Sequence, residues 1–229
     1  MKLLVIDTST EWCSAALWLD GRILARRVLA EQRHSSLLLP MVDELLRESA
    51  ISLRQLDGIG YGAGPGSFTG LRIACAVTQG LALGADLPVV GVSTLESIAE
   101  QSGAERVLAV LDARMAEVYW AAYQRVGAGW RYVTEPALAL PESVCVPEGG
   151  DWMGAGNGFA ALGEVLRPRL AAQLTRIDDS LMPDAAAMAG LAAQAFERGE
   201  GMDAALAAPI YLRDKVALTI DERRAKKSA

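Results

Sequence analysis

Histidine is almost missing from this chain: His34 is the one example among 229 residues. That scarcity excludes whole classes of chemistry, because a zinc triad of the His-Glu-x-x-His kind needs two imidazoles and a serine-hydrolase triad needs one beside its serine. His34 stands near a helix start with Pro40 close by, and reads as a capping or packing residue. Cysteine is scarce as well. Cys13, Cys75 and Cys145 are odd in number, far apart and set in apolar surroundings, as suits reduced core thiols of a cytosolic protein. Positive charge is in deficit, with 22 Lys and Arg against 28 Asp and Glu and a formal net charge of −6. Tight independent binding to nucleic acid relies on neutralising phosphates, so any work on RNA is expected to pass through a partner. The opening apolar run is cut at Asp7 before it could span a bilayer or serve as a leader. The expectation is a cytoplasmic protein with no membrane contact.

What the chain does have is a repeated α/β pattern. Leu3 to Ile6, Cys13 to Leu19 and Ile23 to Leu29 read as a three-stranded meander turning at Asp20-Gly21. His34-Ser35-Ser36 offers caps for a helix with Leu37, Leu38, Met41, Val42, Leu45 and Leu46 at helical spacing. A strand over Asp57 to Tyr61, a helix over Leu71 to Ala85, a strand over Pro88 to Val92 and a helix near Ser93 to Gln101 complete the first half. The second half repeats the theme. Val107 to Leu111 ends in Asp112 as the first strand ends in Asp7, and Val118 to Val126 and Trp130 to Thr134 follow as a second meander. Helices are expected over Phe159 to Leu166 and Asp184 to Arg198. An internal duplication follows, with lobes over 1–103 and 104–220 and a basic, solvated tail over 221–229.

The densest motif is Gly62-Ala63-Gly64-Pro65-Gly66-Ser67-Phe68-Thr69-Gly70-Leu71-Arg72. Gly64 to Gly70 has the spacing of a phosphate-binding P-loop, but Leu71 and Arg72 stand where that motif requires Lys and Ser or Thr. The dinucleotide-binding fingerprint is also missed. Two readings stay open for Gly64, Gly66, Ser67 and Gly70: a backbone cradle for a phosphate or carboxylate at a helix start, or a tight strand-to-helix turn whose glycines serve geometry alone.

Asp7-Thr8-Ser9, the segment from Gly64 to Arg72, Val110-Leu111-Asp112-Ala113-Arg114 with Glu117-Val118-Tyr119, and Pro209-Ile210-Tyr211-Leu212-Arg213 together resemble the bacterial TsaB (YeaZ) family. The resemblance implies a duplicated actin-like, Hsp70-like ATPase fold of the RNase H-like kind. It implies a non-catalytic scaffold subunit of the complex that transfers threonylcarbamoyl to the adenosine beside the anticodon of tRNAs reading codons that begin with adenine. Its partners would be a TsaD-like catalytic paralogue and a TsaE-like ATPase, with tRNA reached through the complex and a homodimer when alone. The TsaD family is similar to this chain and carries a metal-binding His-Met-Glu-Gly-His motif. Here that stretch reads Ser93-Thr94-Leu95-Glu96-Ser97-Ile98, without either imidazole. Actin-like folds grip a nucleotide between two Asp-bearing turns, which maps a degenerate phosphate cleft onto Asp7, Thr8, Ser9, Asp112, Gly154, Gly156 and Gly158. The second turn has Arg114 where a glycine would admit phosphate. No cofactor is therefore expected to bind this chain tightly, although a nucleotide could bind in the complex. The alternative is an independent ATPase, or a glycoprotease-like peptidase, using Asp7 and Asp112.

Leu71 to Ala85 is apolar nearly all round, so it needs cover on every side. Ile73, Val77 and Leu81 are expected to face the chain's own sheet. Leu71, Ala74, Cys75, Thr78 and Ala82, joined by Leu38, Met41 and Leu45 of the preceding helix, are expected to form a partner-binding surface. The competing reading makes both faces internal.

Overall fold

A computed structural model describes residues 1–213; the expected tail over 221–229 lies outside the described residues. The first half runs β1 (Lys2–Asp7), β2 (Trp12–Leu19), β3 (Arg22–Leu29), α1 (His34–Glu48), β4 (Gly58–Gly64), α2 (Phe68–Ala85), β5 (Val89–Ser93) and α3 (Thr94–Gln101). The second runs β6 (Arg106–Asp112), β7 (Val118–Val126), β8 (Gly129–Ala139), β9 (Trp152–Ala155), α4 (Gly158–Ala161), α5 (Gly163–Leu170), β10 (Leu174–Asp178) and α6 (Ala185–Glu197).

The duplication is exact in topology. One sheet has the order β3-β2-β1-β4-β5 and the other β8-β7-β6-β9-β10, each an antiparallel meander extended by two parallel strands. Side-chain alternation sends each central strand's residues to two cores. Leu4 and Ile6 of β1 join the layer under α1 and α2, whereas Leu3 and Val5 join the layer under α6. Val107, Ala109 and Leu111 of β6 pack with α3, and Leu108 and Val110 pack beneath α4 and α5.

Local chemistry sets the helix starts. Ser67 caps α2 by accepting from the Gly70 N–H at 3.3 Å, Ser93 caps α3 through the Glu96 N–H at 3.3 Å, and Asp184 caps α6 through the Ala186 N–H at 2.7 Å. The caps expected from the His34-Ser35-Ser36 segment are not formed. Arg33 occupies the capping position of α1 without a side-chain bond, and Ser36 donates back to the Arg33 carbonyl. The helix runs through Pro40, whose missing N–H lies on its exposed side.

The first sheet is built from strands up to Ser93 and the second from strands that begin at Arg106, but the helices do not follow the same division. Leu95, Ile98 and Ala99 of α3, a first-half helix, are buried in the second sheet's core. Ala185, Met188, Leu191 and Ala192 of α6, a second-half helix, are buried on the first sheet. The halves exchange their inner helices because each sheet has two apolar faces to cover. A strap over residues 202–213 also returns to the first lobe: Met202 bridges Val89, Tyr61 Oη donates to the Ala208 carbonyl at 3.1 Å, and the Ile210 N–H reaches Ala63 O at 2.7 Å.

Candidate functional site

Between the lobes lies a cavity of about 540 Å³, walled by Ser9 to Glu11, Glu31, Gln32 and His34, Gly66 to Phe68, Leu111 to Met115 and Ile210 to Arg213. The turn after β1 and the end of β6 meet there, as the fold's internal symmetry requires.

The sequence-derived phosphate residues divide sharply. Asp7 is fully buried and does not line the cavity; its carboxylate accepts from the Ser9 hydroxyl at 3.0 Å and the Ser9 N–H at 3.3 Å. Burial outweighs those bonds and pushes its carboxyl up to about 7. Thr8 is buried and donates to the Gly70 carbonyl at 2.7 Å. Ser9 and Asp112 do reach the cavity. Asp112, however, is held by its own loop: its side chain accepts from the Arg114 N–H at 2.7 Å and pairs with the Arg114 guanidinium at 3.0 Å. Gly154, Gly156 and Gly158 are absent from the cavity wall. A Cβ on Gly156 would meet Val110 O at 2.3 Å, one on Gly158 would meet Val110 Cγ1 at 2.5 Å, and one on Gly154 would meet Phe159 at 2.8 Å. Their smallness serves packing on β6 and against Phe159. Asn157, between them, is the residue that faces the cavity, and its Oδ1 accepts from the Asp112 N–H at 2.9 Å.

The glycine loop resolves the same way, toward geometry. A Cβ on Gly64 would lie 2.6 Å from Ile210 O, one on Gly66 2.6 Å from Ser9 O, and one on Gly70 1.9 Å from Thr8 O. The Ser67 N–H, which an anion would want, donates to Ser9 O at 2.7 Å. Here glycine admits neighbouring main chain. The donor set does not fit a metal-bound triphosphate: Asp7 turns away, Asp112 is paired, and the loop amide at Ser67 is occupied.

The cavity is instead furnished with residues that sequence reasoning passed over. Phe68 packs on Tyr211 with centroids 5.3 Å apart, the Arg72 guanidinium lies 3.6 Å over the Phe68 ring, and Arg72 Nε donates to Tyr211 Oη at 2.9 Å. Arg213 donates to Ala113 O at 3.0 Å and pairs with Glu117, tying the strap to the β6–β7 loop. His34 Nε2 lies 2.8 Å from Thr10 O, a packing role in keeping with its sequence reading. The sequence carried this set in two motifs, Gly62 to Arg72 and Pro209 to Arg213, but not their contact, because the residues that join them lie more than a hundred positions apart.

The stretch corresponding to the paralogue's metal motif is packed inward. Thr94 and Ile98 are fully buried, and Thr94 donates to Pro65 O. Among the described residues, no three of His, Cys, Asp and Glu converge as metal ligands.

The proposed partner surface needs correction. Leu38, Leu45, Ala74, Thr78 and Ala82 have no exposure, and Met41, Leu71 and Cys75 are buried too. Leu38, Met41, Leu45, Cys75 and Ala82 belong to the core under the first sheet, Leu71 lines the interlobe cavity, and Cys75 Sγ and Gln79 Nε2 both contact Ala207 O of the strap. The opposite face is the open one. Arg72, Ala76, Gly80, Leu83 and Gly84 of α2 are exposed with Ile73, Val77 and Leu81 half-buried beside them, and Leu39 of α1 is exposed.

Comparison with known proteins agrees with this architecture. The family described as "TsaD: tRNA N6-adenosine threonylcarbamoyltransferase" matches residues 28–220. The chain is 43% identical to the tRNA threonylcarbamoyladenosine biosynthesis protein TsaB of Escherichia coli over 95% of its own length and 96% of that protein. Against the same-named protein of Haemophilus influenzae the figures are 36%, 94% and 95%. Among solved structures, YeaZ from Pseudomonas aeruginosa superposes with a TM-score of 0.84 at 42% identity, covering 92% of this chain and 99% of that one. With its duplicated sheets, exchanged helices and full-length likeness to these proteins, the chain belongs to the TsaB (YeaZ) family of tRNA threonylcarbamoyladenosine biosynthesis proteins.

Proposed function

We propose that this chain works as a non-catalytic scaffold, presenting the outward faces of α1 and α2 to a TsaD-like paralogue in the complex that installs threonylcarbamoyl on tRNA adenosine. One observation carries the reading: Gly80 and Gly84 lie inside an exposed stretch of α2, and a Cβ on either would meet nothing within 4 Å. Each glycine costs about 1 kcal/mol of helix stability relative to alanine, and no neighbour among the described residues approaches closely enough to require it. Their smallness suits close approach by a helix from outside. The apolar residues around them, Ile73, Ala76, Val77 and Leu83, supply burial that a permanent complex would use. By length and composition α2 is apolar enough to cross a membrane, with a mean hydropathy of 1.2, but it is capped by Ser67 and packed on β4. A protein partner accounts for its open face.

In this reading a TsaE-like ATPase joins the assembled pair, tRNA meets the complex rather than this acidic chain, and a homodimer through the same face competes when the paralogue is absent. The cleft between the lobes binds no nucleotide tightly by itself; any nucleotide belongs to the assembled complex. The test is a sizing column with purified chain and paralogue, using Leu83→Glu and Gly80→Glu. Both variants should stay folded and fail to form the heterodimer. An unaltered heterodimer with both would overturn the assignment, as would metal-dependent ATP hydrolysis by the pure chain that is lost in Asp7→Ala.

A further inference from the structure

A second cavity, of about 530 Å³, opens where α3, α6 and the β7–β8 hairpin meet, and Glu96, Trp130, Leu191, Gln194 and Arg198 are among the residues lining it. Its size falls within the range of small-molecule sites. It has one side chain without an internal explanation. The Glu96 carboxylate has no hydrogen-bond partner among the described residues, although the charged groups nearest it are matched. Glu100, one turn on, accepts from Trp130 Nε1 at 2.7 Å and Arg125 Nη2 at 3.2 Å. Arg198 is neutralised by a two-pronged pair with Glu200 at 2.6 and 2.9 Å. Arg131 lines the cavity too, but it pairs across the strands with Gln124, to which its guanidinium donates at 2.9 Å. That puts it on the opposite sheet face from Trp130 and Tyr132.

We propose that this cavity binds a small organic cation, a primary ammonium or guanidinium on an aliphatic stem, with its charged head on the Glu96 carboxylate and its stem along Trp130 and Leu191. The carboxylate supplies the charge that attracts a positive head, and Trp130, whose ring already carries the Arg125 guanidinium 4.2 Å from its centroid, supplies apolar area for the stem. Gln194 adds an acceptor: its Nε2 donates to Ala128 O at 3.0 Å, and its Oε1 has no donor among the described residues. The position gives binding a consequence. Trp130 packs against both the second sheet's inner core and the α6 layer of the first, so an occupant would tie the lobes together.

The groups facing Glu96 are Glu100 on α3, Arg198 and Glu200 at the end of α6, Tyr123 on β7 and Tyr132 on β8. Burial dominates over these charges and pushes the Glu96 carboxyl up to about 7. Binding of a cation should therefore weaken about tenfold for each pH unit below about 7 and level off above it.

The proposal is independent of the scaffold reading and is tested by calorimetric titration of the full chain with agmatine at about pH 8, above the Glu96 transition. Saturable binding is expected, reduced at least tenfold in Glu96→Gln, which keeps the side chain's shape and should fold normally. A carbon-detected spectrum of the wild type gives a second readout, in which the Glu96 carboxyl resonance should move with added agmatine. Absence of both heat and shift at millimolar agmatine would overturn the proposal. So would equal binding by Glu96→Gln, or equal binding by uncharged butanol or zwitterionic 5-aminopentanoate.

Discussion

Gly70→Ala separates a packing role for the glycine loop from an anion-binding role. The new methyl carbon would sit 1.9 Å from Thr8 O and 3.0 Å from Thr8 C, where ordinary contact begins near 3.4 Å. The obstacle is main chain and cannot rotate away. Thr8 is itself held by its 2.7 Å hydroxyl bond to the Gly70 carbonyl, so moving either segment breaks the tie between them. Overpacking against a fixed neighbour costs about 3 kcal/mol and the lost hydrogen bond about 1 kcal/mol, while alanine's better helix propensity returns about 1 kcal/mol. The net loss of about 3 kcal/mol corresponds to a fall in Tm of about 6–12 °C for a chain of this size. Thermal unfolding followed by circular dichroism measures it. A variant as stable as the wild type, but with weakened phosphate binding, would refute the packing account and restore the cradle.

Asp7 titrates near 7 in the folded protein against a reference of 3.8, so the native state holds the extra proton between those values. Stability should therefore decline as pH rises from about 4 to about 7 and flatten above, and Asp7→Asn should remove that slope in denaturant titrations across the range. Ala74→Asp should unfold the chain or cost more than about 3 kcal/mol, because Ala74 has no exposure, whereas Leu83→Glu should stay within about 0.5 kcal/mol of wild type. Melting curves of the two variants check which face of α2 is core. Tyr61→Phe removes both a donor to Ala208 O at 3.1 Å and an acceptor for the Ala208 N–H at 3.0 Å, and should cost about 1–3 kcal/mol. Amide exchange should then quicken over residues 202–213, where the strap lifts from β4.

The sequence by itself located the strands of both meanders, because each pairs an apolar run with a turn signal or a shared Asp-ended pattern, although β8 runs on to Ala139, past the Thr134 where its expected strand ends. It determined the duplication for the same reason, and its single histidine rules out a metal site built on two imidazoles. It also identified α2 as a helix apolar nearly all round. Tertiary structure alone decided which of its faces is buried and which is open: Leu71, Ala74 and Ala82 are as apolar as Ile73, Val77 and Leu83, and periodicity cannot rank two apolar stripes. β9 and β10 escaped notice because Trp152–Ala155 has four residues, one a glycine, and Leu174–Asp178 has two consecutive polar residues, Thr175 and Arg176, that break the alternation. The helix exchange was hidden because an amphipathic pattern specifies that a face is buried and not which sheet buries it. The glycines show the same limit. Composition marks a place where something comes close, and only the folded chain reveals that Thr8, Ser9, Val110 and Ile210 of the protein's own backbone are what approaches.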